Sequence, residues 1–189
     1  MGLYEDRLAR ALVEWPHFKV IPKTDSRFMH VIAWVLKNVL RMGDHFMSDF
    51  ITTIGATMYT NTRWNESGDR DKYITLEHEL VHVRQMHTLP FGLWAWPVNW
   101  VCFAFGYLFI LPAFWTLRAK FEYEAYRHEF SVMADLGVFN PAKATDAQNM
   151  LDWTDRLFSG SDYFWMSRQS AAQAYFTDVM ARLAKGERF

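Results

Sequence analysis

The chain has 189 residues, 51% of them apolar and 22% charged. This is the balance of a globular protein that can bury a core without disulfide staples, and it excludes a disordered chain. Twenty basic residues stand against 21 acidic ones, a net charge of -1. That leaves no electrostatic footprint for nucleic acid and no charge run that reads as an interaction tail. The single cysteine, Cys102, excludes an intrachain disulfide and fits a reducing compartment.

The N-terminus, Met1-Gly2-Leu3-Tyr4-Glu5-Asp6, carries acid where a signal peptide wants base, and no apolar core follows it. Residues 3–14 place Leu3, Leu8 and Leu12 against Glu5, Arg7 and Arg10, which predicts an amphipathic helix stopped at Trp15-Pro16. His17–Lys23 reads as extended. Thr24, Asp25 and Ser26 offer N-caps for a second helix through Leu40, ending at Gly43. Phe50–Thr60, FITTIGATMYT, is β-branched and aromatic and predicts one half-buried strand. Phe50, Ile54, Ala56 and Met58 would share a face, and Gly55 would mark a bulge. Residues 61–72 are polar and read as a loop.

A third helix is expected over about Thr75–His87 and a fourth from Arg118 to about Leu136, closed by Gly137. Two more are expected over about 143–158 and 167–185. The fold class is therefore α+β, mostly α, as one domain over 1–189 with a short strand or small sheet before the third helix. The ten methionines fall at helical core spacing, and His17, His30 and His45 read as structural.

The third helix carries His78-Glu79-Leu80-Val81-His82, an HExxH sequence. Positions i and i+4 stack on one helix face, so the two imidazoles can share one Zn²⁺. Glu79 lies about 100° around the helix, where it can meet a metal-bound water as a general base. Leu76, Leu80 and Val83 form an apolar stripe on the other side, and Gln85 and Met86 flank the histidines. A third ligand is needed. His87 fails on register, pointing about 180° from His78 on a continuous helix, and reads as a C-terminal cap or surface residue. On the fourth helix Glu122 is the first choice and Glu129 the second, with Glu124 on nearly the opposite side. Arg118, one turn before Glu122, can orient it. Tyr126, His128, Tyr163 and Tyr175 could each supply the donor that stabilises an oxyanion, though such residues are more often packed or surface aromatics. Two histidines and a carboxylate also suit Fe(II), but the HExxH spacing favours zinc.

HExxH on one helix and Glu-x-x-Ala on a later one resembles the gluzincin group of zinc metallopeptidases, including its membrane CAAX-type and heat-shock-type members. The stretch from Thr52-Thr53-Ile54-Gly55 to His82-Val83-Arg84-Gln85 is similar to small bacterial and phage domains with an HExxHxxQ helix. The resemblance covers roughly residues 50–126. It implies a zincin-like fold with His78, His82 and Glu122 as zinc ligands and Glu79 as catalytic base. Where the peptidase pattern continues Glu-x-x-Ala-Asp, this chain has Tyr126.

Residues 89–117 contain no charged residue and hold Trp94, Trp96 and Trp100. A single span would set Arg118 about 30 Å from Leu89 across a bilayer, and a hairpin of spans needs about 40 apolar residues. Glu122 could not then join His78 and His82, so the tract reads as an apolar insert that is buried or docks on a protein or membrane surface. The expected function is peptide hydrolysis on a peptide or protein substrate laid along the 50–60 strand. The location is cytoplasmic or inside a larger particle. The competing reading is a zinc-stapled structural module of a larger assembly, such as a phage particle.

Overall fold

A computed structural model describes residues 2–38, 46–88, 112–159 and 169–189, with the side chains of 112–118 and 169–170 excepted. The chain forms two compact units, Met1–His87 and Thr88–Phe189. The architecture is α+β and mostly helical, with one small sheet.

The first unit opens with α1, Leu3–Glu14. Its first free N–H groups are capped from a distance. The Asp69 carboxylate accepts from Leu3 N at 2.7 Å and Tyr4 N at 3.1 Å, replacing the side-chain cap that Gly2 cannot supply. Pro16 bars a helical conformation at Trp15 and ends α1. Strand β1 covers Lys19–Pro22, and a 3₁₀ turn over Lys23–Asp25 leads to α2, Arg27–Asn38. Ser26 caps α2 as expected, its Oγ accepting from Met29 N at 3.3 Å. The expected end of that helix at Gly43 lies outside the described residues.

The expected single strand over 50–60 is instead a hairpin, with β2 at Thr52–Ile54 and β3 at Thr57–Thr60. Gly55 makes its turn at φ 65° rather than a bulge. The error also reverses a face. Cross-strand partners lie on the same side of a sheet, and the register sets Thr53 opposite Met58 and Ile54 opposite Thr57. Ile54 and Met58 therefore lie on opposite faces. The sheet order is β1-β3-β2, with β1 parallel and β2 antiparallel to β3. Strand β3 thus has a neighbour on each side, and all three β2 residues are buried. Strand β2 pairs on one side only among the described residues.

Helix α3 runs Asp69–Thr88, starting six residues earlier than expected. Asp69 and Asp71 give its first turn the negative charge that a helix N-terminus favours. In a linear reading those residues look like part of a polar loop. The stripe Leu76, Leu80 and Val83 packs with Ala11, Phe18, Met58 and Trp64 in the first unit's core. Arg7, expected on the solvent side of α1, is buried. Its Nε donates to Glu77 Oε1 on α3 at 2.6 Å, and its guanidinium also reaches Glu14 at 3.4 Å.

The second unit holds α4 (Pro112–Asp135), α5 (Ala144–Ser159) and α6 (Gln169–Ala184). Gly137, at φ 66°, closes α4. Val138 N donates to Met133 O at 2.9 Å and Gly137 N to Ala134 O at 3.1 Å, a Schellman pair. The core is aromatic, built on Tyr126, Phe130, Phe139, Phe158 and Phe176. Phe189 returns onto α4: its N–H donates to Ser131 Oγ at 3.1 Å and its carbonyl accepts from His128 Nδ1 at 2.7 Å. Arg127 and Arg182 both approach its ring, at 4.8 and 4.6 Å. Among the described residues no helix is long and apolar enough to cross a membrane. Residues 89–111 of the aromatic tract lie outside them.

The Arg7–Glu77 pair generates a test. Removing one partner of a buried pair leaves the other charge uncompensated, so Arg7→Met should destabilise the fold by about 3 kcal/mol. The double variant Arg7→Met/Glu77→Met should recover most of that loss in urea unfolding, because no isolated charge remains.

Candidate metal centre

Helix α3 is buried on its polar side as well as its apolar side. His78, Glu79, His82 and Gln85 are all buried, as are Glu77 and Met86. The sequence reading had the histidines facing away from the apolar stripe. The structure keeps that division and covers both sides.

Imidazoles one turn apart on a straight helix converge, and the His78 and His82 rings lie 5.1 Å apart at 72° to each other. His82 is 2% exposed. Its Nδ1 lies 2.9 Å from Gln85 Oε1, one turn further on. A carbonyl oxygen can only accept, so the proton sits on Nδ1 and the Nε2 lone pair is left for a metal. Gln85 thus has the geometry of a residue that orients a ligand.

Lys23 is a neighbour of Glu79 that the sequence reading missed. It is 0% exposed, and its Nζ donates to Phe46 O and Phe50 O, each at 2.8 Å. The ammonium also lies 3.8 Å from the centre of the Phe46 ring. Burial lowers its pKa to about 7, against an opposing pull from the negative charge of Glu79. No local pattern marks Lys23, because a lysine between Pro22 and a helix cap looks exposed.

His87 is half-buried in the last turn of α3. Its ring stacks on Trp15 at 4.8 Å and 23°. Burial, and then the charge of His17, hold its pKa below the ordinary histidine value, so the neutral ring is favoured over the cation that would suit a helix C-terminus.

On α4, Glu122 is 0% exposed while Glu124 is exposed and Glu129 half-buried. The helical phase that separated Glu122 from Glu124 is correct. Tyr126 packs its ring against Trp153 at 5.4 Å and Phe158 at 5.6 Å. Tyr175 stacks on Tyr123 at 4.9 Å, and His128 is engaged by Phe189. These packing contacts favour the structural role for all three. The side chain of Arg118 and all of Tyr163 lie outside the described residues.

Lys23 also gives a pH signature. Its folded pKa lies below the unfolded one, so between about 7 and 10.5 the unfolded chain holds the extra proton. Stability should therefore rise with pH across that window. Lys23→Met should flatten the rise in thermal unfolding followed from pH 7 to about 10.

No protein-family model matches the chain, and neither a curated protein nor a solved structure does.

Proposed function

We propose that the chain is a zinc-dependent peptide hydrolase, with His78, His82 and Glu122 as metal ligands and Glu79 as general base. One observation carries this reading. His78 and His82 lie one turn apart on α3 with their rings 5.1 Å from each other, and they and Glu122 are each buried side chains that offer a ligand atom. Two neutral imidazoles and one carboxylate are also the donor set of catalytic zinc.

Zinc bound there supplies a Lewis acid and lowers the pKa of a water. The remaining steps belong to the chain. Gln85 holds His82 in the Nδ1–H tautomer. Glu79, adjacent to His78 but turned off the ligand face, takes the proton of the attacking water and later delivers it to the leaving amine. Lys23 stands near Glu79, from the 3₁₀ turn after β1.

The burial of all three ligands favours a second reading, because closed zinc sites are structural and catalytic ones keep an open position. In that reading the metal staples a module of a larger assembly.

Elemental analysis of zinc-loaded protein should give one zinc per chain. The ratio should fall sharply in His78→Ala, His82→Ala and Glu122→Ala, and little in Glu124→Ala or His87→Ala. Glu79→Gln separates the two readings, assayed above pH 7 where Lys23 is largely neutral. The enzyme reading expects full zinc content, an intact fold and chelator-sensitive peptide cleavage reduced by about 10²–10⁴. Wild type that shows no chelator-sensitive cleavage of casein or a peptide library, or a Gln variant that equals it, would rule the hydrolase out.

A further inference from the structure

Helix α2 is apolar on two sides. Met29 and Ile32 face inward and are buried. On the outer side Val31 is 59% and Trp34 61% exposed, with Phe28 at 38% beside them. At 100° per residue, Phe28, Val31 and Trp34 fall within one stripe about 120° wide. An exposed Trp beside an exposed Val on one stripe has a solvation cost in water that a partner would remove.

The charges on the same helix indicate the partner. Arg27 and Asn38 are exposed within the same sector and Lys37 is exposed beside it, and α2 contains no acidic residue. In the sequence, no Asp or Glu occurs between Ser26 and Gly43. Lysine is depleted at the cores of protein interfaces. Cations flanking a Trp-bearing apolar stripe instead match a bilayer surface, where the stripe enters the acyl boundary and the long basic side chains reach the headgroups. Among the described residues no helix, α2 included, is long and apolar enough to cross a membrane, whereas an interfacial helix needs only one apolar face.

We propose that the outer face of α2, centred on Val31 and Trp34, is an interfacial docking surface for membranes containing anionic lipid. This does not depend on the zinc reading, and it places membrane contact outside residues 89–117.

Sedimentation of the full chain with vesicles tests it, using phosphatidylcholine alone and phosphatidylcholine mixed with phosphatidylserine. The chain should pellet with the anionic vesicles, and less so as salt is raised. Val31→Glu and Trp34→Glu should each weaken partitioning by about tenfold or more, with the fold checked by circular dichroism. Val31→Ser and Trp34→Ser, less disruptive at exposed positions, should weaken it in the same order. Val13→Glu, on the exposed side of α1, should leave it unchanged. Equal binding by wild type and the α2 variants would overturn the proposal and move the membrane contact elsewhere in the chain. Absence of vesicle binding would overturn it too, and if the chain were a dimer that Trp34→Glu dissociates, the stripe would be a contact between copies.

Discussion

The constraint on which the first unit depends is the double burial of α3. A helix with one wet face can leave its polar side chains to solvent. Buried on both sides, α3 must satisfy Glu77, Glu79, His82 and Gln85 within the protein, because an unpaired buried polar group costs several kcal/mol. Each of the partners found meets that demand from a different direction. Arg7 comes from α1 to Glu77, Lys23 comes from the 3₁₀ turn after β1 toward Glu79, and Gln85 lies one turn along α3 from His82.

These partners tie local elements into one unit. The Asp69 cap and the Arg7 bond tie the first turns of α1 to α3, by a carboxylate on free N–H groups and a buried charge pair. Lys23 binds the carbonyls of Phe46 and Phe50, and so anchors the segment that enters β2. A lysine with no solvent access is costly to bury. Its two carbonyls, the Phe46 ring and the Glu79 charge together offset that cost.

The second unit meets a different demand. Its core is filled by rings that pack edge-to-face, tilted or stacked, as with Tyr126 on Phe158, Phe130 on Phe176 and Phe158 on Phe176. That packing explains part of the chain's high aromatic content without a ligand. It also draws Tyr126 and Tyr175 into packing roles, so tyrosines that look like catalytic donors in a linear reading have neighbours that account for them.

The sequence alone determined whatever depends on short-range periodicity and stop signals. The bounds of α1, the Ser26 cap, the Gly137 terminus, the stripe Leu76-Leu80-Val83 and the separation of Glu122 from Glu124 all follow from helical phase and turn chemistry. The HExxH spacing belongs to the same class. The tertiary structure alone decided three things. It split Phe50–Thr60 into two strands, because composition is uniform across the turn and only pairing reverses the chain at Gly55. It extended α3 back to Asp69, because negative charge at a helix start resembles a polar loop until the helix is seen. It buried Arg7 and Lys23, because a cation's environment is set by partners some seventy residues away in one case and by distant carbonyls in the other, and no local pattern encodes either.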